Sequence, residues 1–186
     1  MTKITCLGDS IRMQYTPVVI QLLGEEYQVF SPSDNCRYVK HTLRMIHDSA
    51  EQMKDSRIVH WNNGLWDLSD LFDDGELFSS KEEYVHNMLR ITDQLLKKHE
   101  IVIFATTTPV NDRHSFIKNE DIVAYNQALI PHLVERGVFI NDLHSLLVGD
   151  VDRYICDDLI HLSQEGIDLC ARAVAEAIRA AAAQLN

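Results

Sequence analysis

A serine near one end of this chain and an aspartate–histidine pair near the other are the residues best placed to do chemistry. Gly8-Asp9-Ser10 closes an apolar run, Ile4 to Leu7, and Asp158-Leu159-Ile160-His161 precedes the last helical stretch. A serine hydroxyl is a weak nucleophile until a base takes its proton. An imidazole base in turn needs a carboxylate to hold its tautomer and to stabilise the cation that forms. Ser10, His161 and Asp158 are one of each. The three-residue spacing of Asp158 and His161 can bring the carboxylate to one ring nitrogen and leave the other free as base. Plainer roles also fit. Asp9 and Ser10 are both good helix N-caps, and Asp and His are common in solvated loops.

Acyl transfer also needs donors for the oxyanion of its tetrahedral intermediate. The backbone N–H of Ser10 is one, at the positive end of a helix that begins there. The run His60-Trp61-Asn62-Asn63-Gly64-Leu65-Trp66-Asp67 offers two more in the side chains of Asn62 and Asn63, although Asn-Gly is equally a turn signal. Trp66 could line an acyl or sugar pocket or simply be a rim or core aromatic. Asn35-Cys36-Arg37 offers backbone donors or a plain loop. Arg12, Arg37 and Arg113 read as solvated surface charges rather than substrate clamps. No H-E-x-x-H, C-x-x-C or phosphate-cradling glycine loop occurs, so no metal and no organic cofactor is expected.

The elements that must position these groups follow from hydrophobic patterning. Five short β-like runs, Ile4 to Leu7, Tyr27 to Phe30, Arg57 to Trp61, Ile101 to Ala105 and Val138 to Ile140, alternate with helical stretches. The helices are Met13 to Leu23, an amphipathic Thr42 to Met53, Glu82 to Lys98, Asp121 to Arg136 and a last one reaching about Ala183. In Glu82 to Lys98 the inward face reads Val85, Leu89, Thr92 and Leu96. Pro131 could kink its helix, Gly137 suits a helix stop, and Ser163 suits a cap, with Glu165 and Asp168 near that helix start. This alternation predicts an α/β fold: a three-layer α/β/α sandwich on a flavodoxin-like five-stranded parallel sheet. Ligands bind such sheets at the carboxyl ends of the strands. Ser10, the Asn62-Asn63-Gly64 turn and Thr106 to Pro109 all fall there. A flavodoxin-like receiver would want a Lys after the fifth strand, where this chain has Asn141-Asp142-Leu143-His144. The Asp67 to Ser80 stretch reads as an acidic loop that could overhang the site.

A length of 186 residues suits one domain over residues 1–186. The net charge of −11 excludes nucleic acid and anionic membrane as partners drawn by bulk attraction, and a neutral or cationic small molecule is the easier ligand. Cys6 and Cys170 read as small buried hydrophobes. The chain opens on strand-like sequence without a signal-peptide pattern, which points to the cytoplasm. A trimmed secreted chain would read the same.

At these residues the chain resembles the SGNH hydrolases, also called the GDSL esterase/lipase family, over nearly its whole length. The first motif reads Gly8-Asp9-Ser10-Ile11 and the last Asp158-x-x-His161, followed by Leu162-Ser163-x-Glu165-Gly166. Thr107-Thr108-Pro109-Val110 and Tyr125-Asn126 also look like family sequence. The resemblance implies Ser10 as nucleophile, His161 as base, Asp158 as its orienting carboxylate, and an oxyanion hole built from the Ser10 N–H, a glycine N–H in the second motif and an Asn side chain in the third. The middle motifs depart. Gly64-Leu65-Trp66-Asp67 carries Trp66 where the family has Asn, which resembles a sub-branch reading Asn-x-Gly-Leu-x-Asp with Asn62 as substitute donor and Asn63 as the nearby alternative. The second-motif glycine falls at Lys40, whose N–H still serves but whose side chain could crowd or select the substrate.

The sequence therefore reads as a carboxylic ester hydrolase working through an acyl-Ser10 intermediate, with an oxyanion hole from Ser10, Lys40 and Asn62. Asp9, Asn63 and Trp66 are candidate substrate contacts. The expected substrate is a short acyl ester, acetyl above all, on an acetylated sugar or similar small alcohol. An acyltransferase with the same nucleophile and a non-catalytic ligand-binding module are the alternatives.

Overall fold

Five short apolar runs pair edge to edge as parallel strands. The computed structural model describes residues 1–185, and its strands are β1 (Thr2–Leu7), β2 (Tyr27–Phe30), β3 (Ile58–Asn62), β4 (Ile101–Ala105) and β5 (Phe139–Asn141). Their order in the sheet is β2-β1-β3-β4-β5, with every neighbouring pair parallel. β3 and β4 are buried at every position, as central strands covered on both faces must be. The helices are α1 (Ser10–Leu23), α2 (Val39–Asp48), α3 (Ala50–Met53), α4 (Lys81–Leu96), α5 (Asn119–Glu135), α6 (Leu143–Leu147), α7 (Val151–Tyr154) and α8 (Gln164–Ala182). α1 packs on α8 over one face of the sheet, and α2, α4 and α5 pack in turn over the other. This is the expected three-layer sandwich. Among the described residues, no helix is long and apolar enough to cross a membrane.

The chain leaves β1 toward β2 and then returns to place β3 on the other side of β1. The loops after β1 and β3 therefore diverge and leave a crevice at the carboxyl end of the sheet, where doubly wound folds bind ligands. Ser10 stands at that point, directly after β1.

Several details differ from the sequence reading. α1 begins at Ser10 rather than Met13, because the Asp9 side chain caps it by accepting the Ile11 N–H at 3.0 Å. The Thr42 to Met53 stretch divides at Ser49 into α2 and α3. On α4 the buried stripe is Tyr84, Met88, Ile91 and Leu95, one residue back from the expected face. Only Thr92 of the expected four is fully buried. Both stripes are helix-periodic, and the aromatic one wins because the Tyr84 hydroxyl has a buried acceptor in Asn63 O at 3.1 Å. α5 runs on through Pro131 to Glu135. In the stretch expected to be an acidic overhanging loop, Asp67 is fully buried, while residues 70–76 are exposed or partly so.

Candidate active site

The turn after β1 and the loop before α8 meet through three side chains. Ser10 Oγ lies 2.8 Å from His161 Nε2, and His161 Nδ1 lies 2.7 Å from Asp158 Oδ2. Because Asp9 takes the cap of α1, the Ser10 hydroxyl is left to the imidazole. Ser10 and His161 are partly exposed, as groups that must meet a substrate have to be.

The loop carrying Asp158 and His161 is closed by an antiparallel bridge between Ile155 and Leu162. Inside it, Cys156 N–H donates to His161 O at 2.8 Å, and Leu159 adopts φ +72°, the left-handed region that side chains disfavour. That bend turns the loop so that Asp158 Oδ1 accepts the backbone N–H groups of Ile160 and His161 at 3.0 and 2.8 Å and the Cys156 thiol at 3.1 Å. Partial desolvation pushes the Asp158 pKa up. The His161 and Ile160 N–H groups, with Cys156 and the imidazole, outweigh it and hold this carboxyl well below the usual range. Asp158 is thus an anion at any pH where the imidazole could serve as base. The loop is tied to α1 by Gln14, which accepts the Leu162 N–H at 3.0 Å and donates to Leu162 O at 3.2 Å. It is tied to the loop after β4 by Asn111 N–H donating to Leu159 O at 2.9 Å.

The N–H groups named from the sequence as candidate oxyanion donors lie on three elements. Ser10 N–H heads α1. Asn62, the last residue of β3, is 4% exposed and donates from Nδ2 to Asp9 Oδ1 at 2.8 Å. Its Oδ1 lies over Gly8, where an added Cβ would sit 1.8 Å from it, so only glycine fits there. The third donor is at the start of α2. Asp67 Oδ2 takes the Val39 N–H at 3.0 Å, and Tyr38 O takes those of His41 and Thr42. Among the described residues this leaves Lys40 N–H as the first-turn amide of α2 with no acceptor. The Lys40 side chain lies at the surface with Nζ 3.4 Å from Glu83 Oε1.

Asn63 does not fit the role of substrate contact. It is fully buried, its Oδ1 accepts from Trp61 Nε1 and Thr42 Oγ1 (both 2.8 Å), and its Nδ2 donates to Arg37 O at 2.7 Å. Those bonds use its side chain to tie β3 to α2 and to the turn before α2, where Arg37 stands at φ +50°. Asp9 is also buried, with its pKa raised by desolvation against the pull of Asn62, Ile11, Arg12 and His161, and it acts on its neighbours rather than on a ligand. Trp66 follows the Asn62-Asn63-Gly64 turn and is 43% exposed.

Arg12 overturns its reading as a solvated surface charge. It is 2% exposed, and its guanidinium bonds four neutral acceptors at the base of the site. Nothing in the local sequence signals this, since three of the four acceptors belong to the loop after β2, 19 to 22 residues further on. Arg37 and Arg113 are surface charges, near Asp34 and Asp152 respectively.

The same fold recurs among solved structures. A lipase/acylhydrolase from Enterococcus faecalis superposes with a TM-score of 0.79 at 18% identity, covering 97% of this chain and 96% of that one. The chain has the fold of the GDSL-type acylhydrolases. An acetyl xylan esterase from Geobacillus stearothermophilus matches at TM-score 0.79 and 16% identity over 95% and 94% of the two chains. A GDSL-like lipase from Bacteroides thetaiotaomicron matches at 0.76 and 16% over 97% and 89%. No family model matches the sequence, and neither does any curated protein. The Asn62 carboxamide is bonded to the turn that carries Ser10, through Asp9 Oδ1.

Proposed function

We propose that the protein is a serine esterase that removes short acyl groups, acetyl above all, from a small polar alcohol such as a sugar. The observation that carries this reading is the continuous hydrogen-bonded line from Ser10 Oγ through His161 to Asp158. In the first step His161 Nε2 takes the Ser10 proton as Oγ bonds to the ester carbonyl carbon. The carbonyl oxygen becomes an oxyanion that the N–H groups of Ser10 and Lys40 and the Asn62 amide receive. Asp158 stabilises the imidazolium across Nδ1. Collapse breaks the bond to the alcohol, which leaves with the proton from His161. Water then enters, gives its proton to His161 and releases the acid, and Ser10 Oγ recovers its proton.

Solved neighbours named as lipase, acylhydrolase and acetyl xylan esterase support ester chemistry. The exposed Trp66, four residues after Asn62, supports a sugar-bearing alcohol, on which an indole can stack. The test is hydrolysis of p-nitrophenyl acetate, together with fluorophosphonate labelling, by the wild type and by Ser10→Ala. Turnover and labelling that both vanish in a folded Ser10→Ala protein are expected. A wild type that neither turns over nor labels overturns the reading in favour of a ligand-binding module.

A further inference from the structure

A permanent cation lies under the turn that carries Ser10; among the described residues no carboxylate is hydrogen-bonded to it, and buried Asp9 feels it only through space. Arg12 Nη1 donates to Ser31 Oγ at 2.7 Å and Pro32 O at 2.9 Å, and Nη2 donates to Asp34 O at 2.8 Å and Gly8 O at 3.1 Å. Burying a charge away from water is costly, and a surface position would avoid that cost. The arrangement calls for a reason beyond local packing.

The four acceptors supply one. Three belong to the irregular loop between β2 and α2. The fourth, Gly8 O, belongs to the residue two before Ser10. Gly8 O also accepts Cys36 N–H at 3.0 Å, so the guanidinium and the far end of that loop converge on one carbonyl. Beyond Cys36 the chain bends through Arg37 and enters α2, whose unpaired amide is Lys40. The two backbone donors assigned to the oxyanion thus stand on different elements, and no strand pairing joins the Ser31–Tyr38 loop to α1. The planar fork of an arginine can reach acceptors on both sides at once, whereas a lysine ammonium cannot match that geometry.

We propose that Arg12 is a positioning residue: it holds the β2–α2 loop in register with the Ser10 turn and so sets the gap between the Ser10 and Lys40 N–H groups. This rests on the esterase reading above. A misplacement of about 1 Å in such a site can cost about 100-fold in rate, and the loss belongs in kcat because the oxyanion exists only beyond the ground state.

The experiment compares wild type, Arg12→Lys and Ser31→Ala for kcat and KM on p-nitrophenyl acetate, with circular dichroism and melting curves alongside. We expect a folded Arg12→Lys protein with kcat down about 10- to 100-fold at near wild-type KM, and a smaller fall in the same direction for Ser31→Ala. A residue that only staples the fold would lower the melting temperature and leave kcat untouched, which overturns the proposal. If Arg12→Lys does not fold, Ser31→Ala decides: a lowered kcat at constant KM supports the clamp, and an unchanged kcat overturns it. An inactive, unlabelled wild type would instead sink the esterase reading, so the two failures are told apart.

Discussion

Asn62 Nδ2 donates to Asp9 Oδ1 at 2.8 Å, which fixes the amide of β3 against the residue preceding the nucleophile. In this orientation Nδ2 faces Asp9, and Oδ1 lies buried over Gly8. Asn62→Ala should lower kcat on p-nitrophenyl acetate by about 100- to 1000-fold, the usual loss for one oxyanion donor, with little change in KM. A wild-type kcat in that variant would mean another group completes the pocket.

Asp67 makes stability depend on pH in an unusual direction. Burial raises its pKa to about 7, against the Ser79 and Val39 hydrogen bonds that lower it, with Asp9 raising it further and Lys40 lowering it. Between the unfolded carboxyl value and about 7 the folded state binds more protons than the unfolded one. Stability therefore falls as pH rises through that window. Asn at this position can accept the Val39 N–H and donate to Ser79, so Asp67→Asn should flatten the loss. Urea unfolding at pH 8 should show the variant more stable by about 1–4 kcal/mol, with the gap closing toward pH 4.

His60 acts on the acid side. Fully buried in β3, it has its pKa pushed down to about 3 by desolvation, and its Nε2 pairs with Asn141 Nδ2 at 3.2 Å. Below about 6.5 the unfolded chain gains a proton that the folded one refuses, so stability falls as pH drops from there toward 3. Measured in the Asp67→Asn background, unfolding free energy should decline over this range. A flat profile would show that His60 charges inside the fold.

Gly64 stands at φ +153° with Thr107 against it, and an added Cβ would lie 2.1 Å from Thr107 Oγ1. That hydroxyl donates to Asn63 O at 2.9 Å. Gly64→Ala should destabilise the protein by about 1–3 kcal/mol through backbone strain and overpacking. A melting curve matching wild type would refute the close approach.

The candidate groups that serve Ser10 are polar, the His161 imidazole, the Asp158 carboxylate and the Asn62 amide, and a long alkyl chain packed on them would leave them without partners. In a series of p-nitrophenyl esters, acetate should be the fastest, butyrate slower and octanoate slowest by kcat/KM. A rate that rises with chain length would point to an apolar channel instead.

What could be read from sequence followed from spacing. Strand–helix alternation implies the parallel sheet, and that sheet puts Ser10 and the Asn62 turn on one edge. Asp158 and His161 are close enough in sequence for one loop to join them. Long-range partners were not legible. Arg12 has no signal of its own, because three of its four acceptors reach it only once β2 lies beside β1. Asn62 and Asn63 look alike in sequence, yet one faces the nucleophile turn and the other is sealed among Trp61, Thr42 and Arg37. The face of α4 was ambiguous because two adjacent stripes share the same period, and the acceptor for Tyr84 belongs to another element.

Ser10 opens α1 and His161 lies just ahead of α8, and these two helices pack together with Gln14 bridging to Leu162. The proposed nucleophile is therefore synthesised 151 residues ahead of its base. A growing chain carries an inert serine until its last helix docks. Loosening confined to the loop ahead of α8, by heat or by a protease, would part His161 from Ser10 while the sheet still holds, so loss of activity should be an earlier sign of damage than loss of fold.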